Sequence, residues 1–339
     1  MVITRILTSN ELDEAVRLLE SGEVVAFPTE TVYGLGANAL NSKAVAKIFE
    51  AKGRPGDNPL IVHCANQNQI FEFTREIPQE AFKLMERFWP GPLTLVFKRT
   101  DRIPKIVSAG LDTVGIRIPD HPLALRLLDK TGFPLAAPSA NLSGKPSPTR
   151  AEHVYSDLDG KIPAILDGGP TGWGLESTVL DCTVSPFRLL RPGGVTLEEL
   201  RGFGKIQFAG DILEEMTDAP RSPGMKYEHY APEAKVHLVL GENTPAKIKK
   251  LGEDYVRAGN KVGVMTWEER KHLYGDFTIL SMGSMGDLNR FAVNLYHLLR
   301  EADRLGVQQL FVEGVKDDHL GLAIMNRLRK AANNRIIKT

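Results

Sequence analysis

A helix, a sharp loop and a buried strand are predicted in direct succession between residues 42 and 63, and this succession constrains the fold class. Residues 42–51 read SKAVAKIFEA, and their apolar side chains recur with the period of a helix that packs on one face. Residues 59–62 read PLIV, a continuous apolar run typical of a buried strand. Because helices and buried strands pack as alternating layers, the chain is expected to be an α/β protein.

The loop between this helix and this strand carries two cations, Lys52 and Arg54, among two glycines and a proline. Arginine can bind a pair of anionic oxygens with two hydrogen bonds, and lysine adds a compact charge. The loop therefore indicates a polyphosphate site. The alternative is an ordinary helix C-terminus with favourable cations and a glycine stop.

Strands and helices continue to alternate along the chain, in two blocks. Residues 1–210 contain further predicted strands such as VVAF (24–27), LTLVF (93–97) and TVGIRIP (113–119). Residues 236–339 alternate strands with helices at 245–258, 287–305 and 319–332, which predicts a smaller, open parallel, Rossmann-like sheet. Residues 211–235 are rich in proline and polar side chains without a helical or strand period, and are interpreted as a semi-rigid linker.

Composition limits the classes of protein that the chain can belong to. It has 339 residues with 42% hydrophobic and 25% charged residues, and a formal net charge of zero, so attraction of nucleic acid by the whole molecule is not implied. Cys64 and Cys182 lie in apolar runs and are expected to be buried free thiols. No apolar run approaches membrane-spanning length and the N-terminus lacks a signal-peptide pattern, so the cytoplasm is the expected location.

Polar segments follow several of the predicted strands. PTETVYGLG (28–36) is expected to be a loop with three hydroxyls and a carboxylate, and LSGKPSPT (142–149) is a hydroxyl-rich loop behind the predicted strand PLAAPSAN (134–141). Small residues and hydroxyls at strand ends suit phosphate oxygens. Arg117 lies inside a predicted strand, where it is either exposed on one face or buried with an anion; exposure is the usual outcome.

Together these segments resemble a known family, the two-domain L-threonylcarbamoyladenylate synthases with an N-terminal YrdC-type domain. The matching motifs are PTETVYGLG, KGRPGDNPL, GIRIP, APSANLSGKPSPT, ESTVLD, LLRPG and, in the linker, SPGMKYEHYAP. The resemblance implies a YrdC-type twisted mixed sheet with helices in residues 1–210 and a C-terminal α/β domain at 236–339. The composition of the linker at 211–235, with its prolines, aromatic rings and cations, predicts a lid that folds over a ligand.

The resemblance also implies an activity, that of a nucleotidyltransferase. Threonine, bicarbonate or carbon dioxide, and ATP would give threonylcarbamoyl-AMP and pyrophosphate. The product would pass to the machinery that transfers the threonylcarbamoyl group to ANN-decoding tRNAs. Threonine would first form a carbamate at its amine, and this carbamate would react with ATP. The carbamate and ATP are both anions, so the protein must hold them together and offset their repulsion. Magnesium would be carried by ATP, without a protein metal cage.

The family's functional positions fall on fourteen residues of this chain. The threonine site is implied at Thr31, His63, Arg117, Ala137 and Ser177. The nucleotide site is implied at Lys52, Arg54, Asn58, Thr113, Ser139, Asn141, Ser147, Arg191 and Tyr230. Lys52, Arg54, Arg117 and Ser139 are expected to serve catalysis directly.

Two other functions remain open from the residues. One is an RNA-binding module, for which the basic C-terminal end (Arg327, Arg329, Lys330, Arg335 and Lys338) offers weak support; a solvated helix face is the more common explanation. The other is the carbamoyltransferase of hydrogenase maturation, which carries cysteine-rich zinc motifs that two isolated cysteines do not match. Pyrophosphate release that requires both threonine and bicarbonate would separate these functions.

Overall fold

The computed structural model describes residues 2–208 and 230–339, which form two compact units. The described part of the first unit comprises residues 2–143 and 148–208, and that of the second comprises residues 144–147 and 230–339. The predicted linker therefore lies mostly outside the described residues, and only its end, from residue 230, is described. The segment 144–147 belongs by its contacts to the second unit.

In the described part of the first unit, twelve strands build the sheet. They are β1 (Arg5–Leu7), β2 (Val25–Phe27), β3 (Gly34–Asn38), β4 (Ile61–His63), β5 (Thr74–Arg75), β6 (Leu93–Arg99), β7 (Thr113–Arg117), β8 (Leu135–Ala136), β9 (Ala164–Leu166), β10 (Thr178–Asp181), β11 (Phe187–Arg191) and β12 (Ile206–Phe208). The helices of the same unit are α1 (Leu12–Glu20), α2 (Ser42–Lys52), α3 (Ile70–Phe73), α4 (Gln79–Phe88), α5 (Pro122–Thr131), α6 (Ala151–Leu158) and α7 (Leu197–Arg201).

The sheet is mixed and brings strands that are distant in the sequence side by side. Its order is β1-β9-β2-β3-β8-β4-β7-β6-β10-β11-β12, with β5 paired to β6. β4 runs parallel to β7, while β7 runs antiparallel to β6. Because β4 and β7 are adjacent and parallel, their last residues, His63 and Arg117, lie side by side.

The predicted helix, loop and strand at residues 42–63 are confirmed. Asn41 caps α2 by accepting hydrogen bonds from the backbone of Lys43 and Ala44, and Gly53 ends the helix with φ +59°. Strand β4 follows, buried along its length. Lys52 is therefore the last residue of the helix, and Arg54 lies in the loop that leads to the sheet.

Five strands form the sheet of the second unit, and all of their pairings are parallel. They are β13 (Lys235–Leu240), β14 (Val262–Thr266), β15 (Thr278–Ser281), β16 (Gln309–Glu313) and β17 (Ile336–Lys338), in the order β15-β14-β16-β13-β17. Three helices accompany them: α8 (Thr244–Arg257), α9 (Leu288–Arg304) and α10 (His319–Ala331). The predicted fold class, a mixed α/β sheet followed by a smaller parallel one, is confirmed.

The structure corrects two local predictions in the first unit. The segment 28–36 is not entirely a loop, because β3 begins at Gly34 and pairs with β2; a Cβ at Gly36 would lie 2.7 Å from the ring of Phe27, so glycine permits this pairing. The strand predicted at 134–141 is only two residues long, and a proline lies at each side of it.

The basic C-terminal end is also different from the predicted solvated helix face. Arg327 is fully buried on α10, and its guanidinium lies 5.8 Å from the ring centre of Tyr230. Arg329 pairs with Asp317. The predicted buried free thiols are confirmed, since Cys64 and Cys182 are both unpaired and buried, and burial raises the pKa of Cys64 to about 12. Among residues 2–208 and 230–339, no helix combines the length and apolar character needed to cross a bilayer.

Candidate active site

Arg117, at the end of β7, is buried with an anion, which decides between the two possibilities that the sequence left open. The side chain is 3% exposed. Its Nε donates to the carbonyl of Gly91 at 3.1 Å, and its Nη1 donates to Thr31 Oγ1 at 2.9 Å. Its Nη2 lies 2.6 Å from Glu30 Oε1. The guanidinium is thus fixed in position with its charge balanced by Glu30.

His63 lies beside Arg117 as a neutral imidazole. The two residues are register partners on β4 and β7. Burial, and secondarily the charge of Arg117, lowers the pKa of His63 to about 3. Its ring packs edge-on against Phe27, with 6.1 Å between ring centres, and its Nδ1 has no hydrogen-bond partner among the described residues. His63 therefore has one buried nitrogen available for a neutral hydrogen bond to a ligand.

Ala137 and Ser177 lie on either side of this pair of strands. The backbone N–H of Ala137 donates to Ile61 at 2.9 Å, which places Ala137 beside β4. Ser177 Oγ lies 2.8 Å from Thr94 Oγ1. Thr94 precedes Leu95, the register partner of Ile116, so it lies on β6 opposite Arg117 of β7. The strand order therefore gathers the five predicted threonine-site residues on neighbouring strands and the loop after β2.

Arg191, predicted for the nucleotide, is bound to Ser177. Its Nε donates to the Ser177 carbonyl at 3.0 Å and its Nη2 to Ser177 Oγ at 3.1 Å. The backbone at Gly193 packs closely on the backbone next to Ser177. A Cβ at Gly193 would lie 2.3 Å from the backbone nitrogen of Thr178, so this position requires glycine. The structure thus joins a predicted nucleotide residue to a predicted threonine residue.

Lys52, Ser139 and Asn141 form one cluster. The ammonium of Lys52, 2% exposed, donates to the carbonyl of Ser139 at 2.5 Å and to the carbonyl of Asn141. Ser139 Oγ donates to Asn141 Oδ1 at 2.6 Å. Lys52 therefore holds residues 139–141, which lead into the hydroxyl-rich loop, against the end of α2, a structural contact that the sequence does not reveal.

Arg54, Asn58 and Thr113 lie in a second group. Arg54 Nη2 donates to the carbonyls of Asn58 and Pro59, each at 3.3 Å. Thr113 begins β7, and the Ile61–Gly115 register places that end of the strand toward the Arg54–Pro59 loop. Thr113 lies four positions before Arg117, a distance of about 13 Å along a strand. The structure therefore does not bring Thr113 next to the predicted threonine site.

Ser147 and Tyr230 belong to the second unit. Ser147 is fully buried in the segment 144–147, whose Gly144 carbonyl accepts from the backbone of Ala231 at 2.9 Å. Tyr230 is 5% exposed and has φ +65°, and its ring centre lies 5.3 Å from that of Tyr296. The ring of Tyr230 packs within this unit, between Tyr296 and Arg327.

Two residues of the site were missed by the sequence analysis, Glu30 and Thr94. Glu30 was visible only as the single carboxylate of the 28–36 segment, and no sequence pattern ties it to a strand 87 positions away. Thr94 was visible only as one polar residue inside the apolar strand LTLVF. Both become recognisable when the strand order is known.

Comparisons with known proteins show the family to which the chain belongs. A family model for Sua5, YciO and YrdC proteins, described as "Telomere recombination", matches residues 17–193. A second model, described as "Threonylcarbamoyl-AMP synthase, C-terminal domain", matches residues 195–333. The two models together span most of the chain, and the second begins at residue 195.

Individual relatives cover nearly the whole chain. The threonylcarbamoyl-AMP synthase of Bacillus subtilis is 51% identical over 99% of this chain and 97% of its own length. The protein of the same name from Pyrococcus abyssi is 49% identical over 96% of this chain and 94% of its own length. The crystal structure of P. abyssi Sua5 complexed with L-threonine has a TM-score of 0.93 at 46% identity, and the match covers 100% of both chains. The chain therefore belongs to the Sua5/YrdC family, in the two-domain form of the threonylcarbamoyl-AMP synthases.

Proposed function

We propose that this chain condenses L-threonine, bicarbonate or carbon dioxide, and ATP into L-threonylcarbamoyl-AMP and pyrophosphate. The observation that carries the proposal is the Arg117 site. A fixed guanidinium, a neutral histidine and a set of hydroxyls lie together on neighbouring strands, which suits a small amino acid with a hydroxyl. Family membership supplies the reaction for which such a site would be used.

In this reaction Arg117 binds the carboxylate of threonine, and Thr31, His63 and Ser177 offer hydrogen bonds to its other polar groups. The amine forms a carbamate, whose oxygen attacks the α-phosphorus of ATP, and pyrophosphate leaves. The protein contributes by holding two anions in line and by stabilising the leaving charge with cations. No covalent bond to the protein is required by this sequence of steps.

For the nucleotide, we propose that Lys52, Arg54, Asn58, Thr113 and the loop from Ser139 to Ser147 hold the triphosphate and that Arg191 and Tyr230 complete the site. Magnesium would be carried by the triphosphate. The carbonyls of Ser139 and Asn141 already accept from Lys52, so they are poorly suited to coordinate a metal ion. The product would feed tRNA modification, and we place the reaction in the cytoplasm for that reason.

Pyrophosphate release tests the proposal directly. The full chain with ATP and Mg²⁺ is expected to release pyrophosphate only when threonine and bicarbonate are both present. Omission of either compound is the control, and release that is indifferent to both would contradict the proposal.

Substrate selectivity tests the assignment of the pocket. Valine replaces the threonine hydroxyl by a methyl group, and serine lacks the methyl group. A site that pairs a hydroxyl rejects a ligand without it more strongly than it rejects a missing methyl group. Valine is therefore expected to be the poorer substrate of the two, and equal efficiency with valine and threonine would overturn this assignment.

A further inference from the structure

Glu30 is a buried carboxylate for which neither the resemblance nor the comparisons assign a role. It is 7% exposed, and neither carboxylate oxygen has a hydrogen-bond partner in the part of the chain that the structure describes. Its backbone is held in place, because its carbonyl accepts from the N–H of Trp173 at 2.8 Å. A buried charge without hydrogen bonds is costly, so a carboxylate in this state is a strong acceptor for a ligand.

The group nearest to this carboxylate is Arg117. Glu30 Oε1 and Arg117 Nη2 lie 2.6 Å apart, but Nη2 makes no aligned hydrogen bond with any described residue. The other nitrogens of Arg117 are occupied by Gly91 and Thr31. The site thus presents one anionic and one cationic group side by side, each with unused hydrogen-bonding capacity.

The charges of this pair restrict the ligand that can bind both groups. A metal ion would be attracted by Glu30 but repelled by Arg117, and a simple anion would meet the reverse. A ligand that carries an anion and a cation on neighbouring atoms matches both groups at once. The zwitterion of an α-amino acid is such a ligand, because its carboxylate and its ammonium are attached to the same carbon.

We propose that Glu30 binds the ammonium group of threonine while Arg117 binds its carboxylate. The inference rests on the proposed function and extends it by naming the group that selects α-amino acids. In the free protein the two side chains neutralise each other. In the complex each charge is neutralised by the opposite end of the ligand, so neither is left buried without a partner.

A more limited role for Glu30 would be to orient Arg117. Both roles predict weaker threonine binding when Glu30 is changed, so affinity for threonine alone does not separate them. They differ for a ligand that keeps the carboxylate and lacks the amine, such as 2,3-dihydroxybutanoate, in which a hydroxyl replaces the ammonium. A residue that only orients Arg117 affects both ligands equally, whereas a residue that binds the ammonium affects threonine selectively.

The experiment is calorimetric titration of the full chain with threonine and with 2,3-dihydroxybutanoate, without ATP or bicarbonate. The variants are Glu30→Gln and the matched control Glu20→Gln, which changes an exposed glutamate at the end of α1. Wild-type protein and the control are expected to prefer threonine. Glu30→Gln is expected to lower that preference by about tenfold or more, because a hydrogen bond between two charged groups is lost.

Two outcomes would overturn the inference. One is an unchanged ratio of the two affinities in Glu30→Gln. The other is equal binding of the two ligands by the wild-type protein, a result that needs no variant and therefore holds even if Glu30→Gln does not fold. Pyrophosphate release is measured separately, so loss of the reaction with an intact threonine preference would contradict the proposed function and leave this inference standing.

Discussion

Lys52 and Arg54 are two residues apart in the same loop motif, but their side chains have different surroundings. Lys52 is buried and donates to two carbonyls, whereas Arg54 is half-buried and donates weakly, at 3.3 Å, to two others. The contribution of Lys52 to the fold should therefore be large, and that of Arg54 should appear mainly in the reaction. Substitution of each residue by alanine can separate these contributions.

Arg54→Ala is expected to lose most of the synthesis with little loss of stability. Removing one charged contact to a desolvated phosphate costs roughly 2–5 kcal/mol of binding or transition-state energy. Lys52→Ala should lose synthesis and also stability, since a buried acceptor left unpaired costs about 1–3 kcal/mol. Pyrophosphate release and urea unfolding measure the two effects. Near-normal turnover of Arg54→Ala would contradict its phosphate role.

His63 is expected to stay neutral throughout the physiological pH range. Its pKa of about 3 lies below that of an unfolded histidine, near 6.5, so the unfolded chain binds this proton first as the pH falls. The free energy of unfolding should therefore decrease between about pH 6.5 and pH 3. In NMR spectra of histidine-labelled protein, the resonance that is absent from His63→Gln should not shift between pH 8 and pH 5. A titration midpoint near pH 6.5 for this resonance would contradict the prediction that His63 is buried and neutral.

At the scale of single residues, the sequence predicts in which element a residue lies better than it predicts the burial and the partners of its side chain. The strand at 113–117 was correctly placed, but the sequence could not say which way Arg117 faces, because its partner Glu30 lies on a distant segment. Arg327 shows the same difficulty. Its place in a basic helix end favours exposure, and only the packing of Tyr230 over it reveals that it is buried. Pairings between distant residues depend on strand order, which periodicity does not supply.

Most elements of the second unit were predictable within one or two residues, because each strand is a continuous apolar run and each helix has a clear apolar face. Other elements were not predicted. Strand β17 is only three residues long, and helix α6 carries the polar residues His153 and Asp157 on its buried face. Short length and buried polar residues remove the apolar signal on which such predictions depend.

Strands β14 and β16 of the second unit are linked at their ends by a polar cluster around Glu313. This carboxylate, 1% exposed, accepts from Tyr274 Oη at 2.6 Å, from Arg270 Nη1 at 2.5 Å and from Thr266. Burial and the nearby carboxylate raise the pKa of Tyr274, so its phenol stays protonated and donates. The cluster fastens the last residues of two parallel strands to the segment that follows β14.

Glu313→Ala is expected to destabilise the second unit by about 2 kcal/mol, because Tyr274 and Thr266 would lose a buried charged acceptor. Hydrogen exchange followed by mass spectrometry should show faster exchange in β14 and β16, and unchanged exchange in β6. Glu253→Ala, an exposed position on α8, is the control. Equal protection of β14 in both variants would show that the cluster is dispensable.

At the scale of the whole molecule, each unit has its own sheet, and the strands described in residues 2–208 and 230–339 pair only with strands of the same unit. The fragment 1–208 is therefore expected to fold alone. It lacks Tyr230, and it lacks the residues that hold the segment 144–147, since Arg300 Nη2 donates to the Pro146 carbonyl at 2.5 Å and Ala231 donates to Gly144. Ser147, a predicted nucleotide residue, lies in that segment.

The segment 211–235 is predicted to close over the nucleotide as a lid, and its residues up to 229 lie outside the described part of the chain. A carbamoyl-adenylate is a reactive mixed anhydride, so exclusion of water during synthesis would protect it. The fragment 1–208 should then bind ATP weakly and release little intermediate, and Tyr230→Ala in the full chain should show a milder form of the same defect. Circular dichroism of the fragment is the control for folding.

Limited proteolysis of the full chain tests the lid most directly. Cleavage within 211–235 should slow when threonine and ATP are present together, and either ligand alone should have a smaller effect, because closure is expected over the complete site. Proteolysis of Arg54→Ala under the same conditions separates closure from general stabilisation, since this variant should keep its fold but bind the triphosphate poorly. If both ligands together leave the cleavage rate unchanged, and the fragment 1–208 works at the full rate, the segment is a tether and the second unit has a task other than closing the site.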